Sequence, residues 1–277
     1  MRFSIATYLF VLCLLVLQMR CEAADAASGL WTNSLGMVFA PVPGTKVRFS
    51  IYETRVKDFV AFAVTNPKLD GTNWNHALYH GVTPVSAGDD YPVVNVSWND
   101  AEHFCEWLTE TEQKAGKIST NETYRLPTDA EWSYAVGIGG QETGATPKEK
   151  SAKLADIYPW GTQFPPPPRA GNFADKAALD YFTNWPNIAG YNDGYVTTSP
   201  AGSFTPNPYG LYDMAGNAME WCADFYDEAH KQRVLRGGAW INCGPKTLLS
   251  SYREHVSPGR FSVATGFRCV LAENTDK

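Results

Sequence analysis

Three groups of residues have the types and spacing for chemistry. The first is residues 210–221 (GLYDMAGNAMEW), where Asp213 and Glu220 stand seven residues apart around an Ala-Gly-Asn turn. On a helix both carboxylates would share a face. Gly216-Asn217 argues instead for a turn, and the aromatic run from Trp221 reads as a strand. A loop with a carboxylate at each end and carbonyls turned inward suits a hard cation such as calcium, which takes roughly six to eight oxygens. Taken alone, a hairpin with two solvated acids is the commoner outcome of such a segment. The second group is His76 and His80, four apart. Gly71, Gly81 and Pro84 oppose the helix that would make them joint metal ligands, and no Glu follows His76 as an HExxH site requires, so both read as loop residues. The third group is the cysteines. Cys13 and Cys21 fall in the N-terminal segment, leaving Cys105, Cys222, Cys243 and Cys269. An even number in an exported chain favours disulfides, with three pairings open. There is no CxxC, so thioredoxin-like and zinc-knuckle chemistry has no support.

The compartment follows from the N-terminus. Arg2 gives a short positive start, residues 8–17 (YLFVLCLLVL) form an apolar run, and small residues follow. This is the pattern of a secretory signal, too short for a span of about 20 residues. We expect a signal peptide over 1–23, a loose leader over 24–34, one domain over 35–273 and a tail over 274–277. Removing the signal takes the net charge from −6 to −7. Acidity excludes nucleic acid as a partner, since phosphate binding wants a basic face. The chain is 277 residues long and 44% hydrophobic, with 23 Gly and 18 Pro, enough for one large core with many turns.

The elements that must position these groups read as follows. Residues 37–41 and 46–52 are strand candidates across the Pro43-Gly44 turn. Glu53-Thr54 leads a helix carrying Val56, Phe59, Val60, Ala63 and Val64, ended by Asn66-Pro67. Ser97 or Asn99 caps a helix over 100–114 that buries Ala101, Phe104, Cys105, Trp107 and Leu108. Thr128 and Glu131 form a capping box for a shorter helix. Residues 137–151 read as a surface loop, and 164–168 (FPPPP) as a rigid extended connector. Residues 172–208 show almost no periodicity, and so long an irregular stretch is usually functional or tied down. Strands are expected at 234–236 and 267–271.

Six segments in this order resemble the formylglycine-generating (sulfatase-modifying factor) family: residues 91–101 (YPVVNVSWNDA), 124–132 (YRLPTDAEW), 158–161 (YPWG), 210–221, 236–240 (RGGAW) and 265–269 (TGFRC). The resemblance implies an α+β, C-type-lectin-like fold with short helices, small antiparallel sheets and much irregular structure. It implies two calcium sites. One takes the side chains of Asp213 and Glu220 and the carbonyls of Gly216 and Ala218, with Asp213 where the family has Asn. The other takes the side chains of Asn172 and Asp193 and the carbonyls of Phe173 and Tyr195. It also implies a disulfide between Cys105 and Cys269, worth on the order of 4–5 kcal/mol in the chain-entropy account. A second bridge, Cys222 to Cys243, is then favoured over two free thiols.

The sequence departs from the family where the chemistry sits. The resemblance implies copper held by two cysteines five residues apart just after the Arg-Gly-Gly segment, because soft thiolates select Cu(I). Here Asn242 and Thr247 take those places, Ala239 replaces a serine, Met219 replaces a tryptophan, and Cys243 falls one residue late. Copper is therefore not expected, and Cys243 is the one candidate catalytic residue. Trp240, Asn242, Cys243, Tyr252, Arg253 and Arg260 are the expected pocket lining, each with core packing or a surface ion pair as the alternative. Three readings stay open. One is an exported, calcium-stabilised, non-catalytic binding or scaffold protein for a peptide, glycan or small molecule, with no membrane span after signal removal. A second is an oxidoreductase with other chemistry, and the third is a formylglycine-generating enzyme using Cys243.

Overall fold

The structure, a computed structural model, describes residues 29–66, 69 and 74–274. The expected signal segment lies outside the described residues. Strand β1 (Trp31–Thr32) pairs antiparallel with β2 (Val38–Pro41), Trp31 opposite Phe39. Trp31 also packs on the rings of Phe39 and Tyr124, 5.5 and 6.1 Å away. The ordered domain thus begins upstream of Leu35, inside the stretch expected as a loose leader. A tryptophan has too much apolar surface to leave in solvent when a sheet edge is at hand. Strand β2 turns at Gly44, whose φ is +86°, into β3 (Val47–Ser50).

Helix α1 (Val56–Ala63) starts one residue later than Glu53-Thr54 suggests. Arg55 is its cap, and Asp58 accepts from the Arg55 backbone N–H. A hairpin of β4 (Leu78–Tyr79) and β5 (Thr83–Pro84) follows, with His80 at its turn and His76 just before it, so both histidines are loop residues. Helix α2 (Trp98–Lys114) is capped by Ser97, whose hydroxyl accepts from the Asp100 N–H at 3.1 Å. Strand β6 (Glu122–Arg125) leads to α3 (Asp129–Ala135), closed by the expected Thr128/Glu131 box. Two short helices, α4 (Pro147–Lys150) and α5 (Lys176–Tyr181), interrupt the long irregular stretches.

The last third supplies β7 (Met219–Phe225), β8 (Arg233–Arg236), β9 (Glu254–Val256), β10 (Thr265–Gly266) and β11 (Val270–Glu273), with a 3₁₀ turn at Pro245–Leu248. They complete two sheets, ordered β1-β2-β3-β11-β6 and β10-β7-β8-β9. Within them β10–β7 is parallel and the other pairs are antiparallel. One strand was expected at 267–271. Instead, the chain leaves one sheet after Gly266 and enters the other at Val270, so Phe267, Arg268 and Cys269 cross between the sheets, fully buried.

The core under the first sheet is aromatic. Phe59, Phe62, Phe104 and Phe267 are each at most 2% exposed. Phe104 lies 5.7 Å from Phe59, 5.7 Å from Phe62 and 5.4 Å from Phe267. Truncating Phe104 to Ala should leave a cavity that these rings cannot close, costing about 3–5 kcal/mol. A lowered denaturant midpoint at unchanged slope would show it, and a loss below about 1 kcal/mol would contradict this packing.

Candidate functional site

Residues 210–221 are not a solvated hairpin. Asp213 is 4% exposed and Glu220 is fully buried. Register puts Glu220 on central strand β7, opposite Arg236 of β8 and Gly266 of β10. Its carboxylate accepts from Arg268 Nε at 2.8 Å and Nη2 at 2.5 Å, and from Trp132 Nε1 at 2.8 Å. Asp213 sits at φ +55°, where Oδ2 accepts the Gly202 N–H at 2.6 Å and Oδ1, also buried, has no partner. Burial pushes the Asp213 carboxyl up to about 6, against the pull of the Gly202 N–H and Arg268. At Gly216 (φ +77°) an added Cβ would lie 2.1 Å from the Asn172 carbonyl oxygen, so only glycine fits between the two stretches.

A third carboxylate joins this centre. Glu53, 1% exposed, accepts from Asn217 Nδ2 at 2.6 Å and from the Ala218 N–H at 2.9 Å. Burial raises its pKa well above the ordinary range, and Asp213 and Glu220 add to the rise. Sequence reasoning read Glu53 as a helix leader. Its partners are 164 and 165 residues away, and nothing local announces them.

The Asn172/Asp193 pair adjoins this centre. Asn172 is fully buried, and its Nδ2 donates to the Thr197 carbonyl at 2.8 Å, while Oδ1 has no partner. Asp193 accepts from the Phe173 and Tyr195 N–H groups, both at 2.8 Å. Burial pushes Asp193 up to about 7, and Asp175 adds to the rise. Asp175, fully buried and absent from the expected site, accepts from the Asp193, Ala177 and Ala178 N–H groups. An orphaned buried amide oxygen on Asn172, whose chain neighbour Phe173 is bonded to Asp193, and two carboxylates with no cationic side chain bonded to them among the described residues are donors of the kind calcium takes.

The copper positions do not fit copper. Asn242 Oδ1 accepts the Ala239 N–H at 2.8 Å, and Thr247 Oγ1 donates to the Gly244 carbonyl at 2.8 Å, so both side chains close local turns. Cys243 is partly buried against the Tyr158, Phe173 and Leu248 cluster, and burial raises its thiol pKa, the opposite of a primed thiolate. Among the described residues no group of three or more His, Cys, Asp or Glu side chains could hold a metal ion, so a cation here needs carbonyl and amide oxygens.

The residues expected to line a pocket do not converge. Trp240, 1% exposed, meets Tyr79 edge-on at 5.3 Å and stacks with Trp185 at 6.4 Å. Tyr252 donates to Glu254 at 3.0 Å, and Arg260 is exposed. Arg253 lies in a buried ion cluster. It makes two 2.9 Å bonds to the Asp129 carboxylate and pairs with Glu142, so it lines no groove. Arg236 meets Asp129 from the other side. Glu142 comes from residues 137–151, so that stretch is more than a surface loop. Cavities of about 580 Å³ (beside Phe62, Trp74 and Trp107) and about 510 Å³ (beside Trp160, Arg169 and Asp213) are lined by none of the six expected residues.

The cysteine expectations divide. Cys105 and Cys269 come together, Sγ atoms 3.5 Å apart, as buried thiols. Cys222 and Cys243 pack in different clusters and do not meet.

A mixed domain of short helices and two small sheets, with buried carboxylates on its irregular stretches and on β7, is an α+β architecture of the C-type-lectin-like kind. The chain matches the sulfatase-modifying factor enzyme 1-like domain over residues 36–273, nearly all of its described length, and belongs to that family. It is 35% identical over 191 residues to the inactive C-alpha-formylglycine-generating enzyme 2 of Bos taurus, covering 65% of this chain and 50% of that protein. To the formylglycine-generating enzyme of Bos taurus it is 31% identical over 220 residues, covering 73% and 49%. It thus spans about half the length of these curated relatives. PvdO from Pseudomonas aeruginosa shares the fold, with TM-score 0.57 at 21% identity over 88% of this chain and 97% of that one. CarF shares it at TM-score 0.52 and 21% identity over 82% and 86%. The fold is therefore α+β, of the C-type-lectin-like, formylglycine-generating-enzyme type. No helix among the described residues is long and apolar enough to cross a membrane.

Proposed function

We propose that this chain is an exported, non-catalytic member of the family, a binding or scaffold protein stabilised by calcium. One observation carries the reading. The two positions where the resemblance calls for copper-binding cysteines are Asn242 and Thr247, and both side chains are engaged in turns. Likeness to a relative named as inactive supports it. Calcium belongs at Asn172 and Asp193, with the Phe173 and Tyr195 carbonyls, and its work is structural: tying down a stretch with little secondary structure. Oxidation in an exported compartment would join Cys105 to Cys269, whose sulfurs already touch.

The test is direct. The full chain, incubated with Cu(I), oxygen and a Cys-x-Pro-x-Arg peptide, should leave the peptide mass unchanged and retain no stoichiometric copper. Conversion of the peptide cysteine to an aldehyde would overturn the proposal in favour of an enzyme acting through Cys243.

A further inference from the structure

We propose that the cavity beside helix α2 is a carbohydrate site, which takes the C–H face of a neutral sugar ring on aromatic side chains and its hydroxyls on unpaired polar ones. The inference rests on the binding-protein reading above and names the ligand class that reading leaves open.

The cavity, about 580 Å³, lies against the side of α2 that the core does not use. Ala101, Phe104, Cys105 and Leu108 are buried on one side of this helix. Asn99, His103, Glu106 and Trp107 recur three and four residues apart along another stripe and line the cavity. Trp74 and Phe261 join them from other parts of the chain. The loop that carries Phe261 is fixed by its own backbone. The Trp98 N–H donates to the Pro258 carbonyl at 3.0 Å, the Arg260 N–H to that of Ser257 at 2.9 Å, and the Asn95 N–H to that of Ser262 at 2.9 Å. Trp107 is held by its neighbours, its ring 5.6 Å from Phe62 and 5.8 Å from Phe104. Walls already in place spare a ligand the cost of ordering them.

The chemistry of the lining decides the class. Phe261 is 47% exposed and Trp107 is half-buried, so two aromatic rings are kept open to a cavity. Rings placed so mark a binding surface, and they suit the C–H face of a pyranose. Asn99, His103 and Glu106 are exposed, and none has a side-chain hydrogen bond or ion pair among the described residues. Trp74 Nε1 is buried without a partner. The amide and the indole supply donors, and the amide and the carboxylate supply acceptors; a sugar hydroxyl is both at once. A cation would use the rings and the carboxylate but leave the N–H donors without acceptors. An anion would meet Glu106 with no lysine or arginine among the described lining residues to offset it.

The experiment titrates the full-length protein by calorimetry, with tryptophan fluorescence as a second readout. The probes are neutral trisaccharides of glucose, mannose, galactose and N-acetylglucosamine, with N-acetylarginine amide as the cationic comparator. At least one trisaccharide should bind, with an affinity unchanged by added salt, because no charge is neutralised. Phe261→Ala and Trp107→Ala should each weaken that binding about tenfold, the loss expected when one aromatic wall is removed. Binding of no trisaccharide, binding unchanged in Phe261→Ala, or salt-sensitive binding of the arginine amide in place of a sugar would each overturn the inference. Phe261 is exposed, so its variant decides the matter even if Trp107→Ala fails to fold. Failure here leaves the non-catalytic reading standing, since that reading falls only to oxidation of the Cys-x-Pro-x-Arg peptide.

Discussion

Replacing Asp129 with Asn should cost the protein about 3–5 kcal/mol, a large part of a domain's stability. Asp129 is 2% exposed at the start of α3, and its carboxylate meets Arg236 and Arg253, themselves 1% and 2% exposed. Asn keeps the shape and one acceptor but removes the only negative charge bonded to Arg236 among the described residues, leaving that guanidinium desolvated and uncompensated. Arg253 keeps Glu142, so the damage should centre on the β8 end. The same cluster sets a pH dependence. Burial alone would raise the Asp129 pKa, but Arg236 and then Arg253 outweigh it and hold the carboxyl below the usual carboxylate range. A carboxyl depressed in the folded state contributes stability above its unfolded value, near 3.8, and loses it as pH falls through the folded value. Urea midpoints of the wild type should therefore fall as pH drops below about 4, and the Asp129→Asn midpoint should fall less steeply. Parallel curves would show that Asp129 is not paired as described.

Calcium should produce the second large effect. A ligand bound only by the folded chain stabilises by RT ln(1 + [L]/Kd), about 4 kcal/mol at a thousandfold excess over Kd. For a chain of this size that corresponds to a rise in melting temperature of roughly 8–16 °C over the chelated protein. Magnesium, which demands tight octahedral geometry and sheds water reluctantly, should do much less. Identical melting with calcium and with chelator would remove calcium from the account, whatever else the fold does.

What the sequence revealed and what it hid divide by range. The Ser97 and Thr128 caps, the α2 burial face and the β2–β3 hairpin were legible because each is decided within a few residues. The carboxylate centre was half legible. Asp213 and Glu220 were singled out, but the cation facing Glu220 is a side chain 48 residues away, brought there by the crossing from β10 to β11. Arg253 was misread for the same reason. Its partners Asp129 and Glu142 lie 124 and 111 residues upstream, one in a helix start and one in a polar loop, and only the fold buries all three. Glu53 was missed because an acid before a helix already has a sufficient local explanation. Buried charge clusters are long-range objects, and local pattern records only their members.

The position of β11 has a consequence for how the chain is made. The last strand lies between β3 and β6, pairing with both, so the five-stranded sheet is completed by residues 270–273. Until those residues leave the ribosome, β3 and β6 have open edges facing a gap and Phe267 is missing from the aromatic core. The five-stranded sheet therefore closes only once residues 270–273 are in place, however much of the domain has already emerged before them.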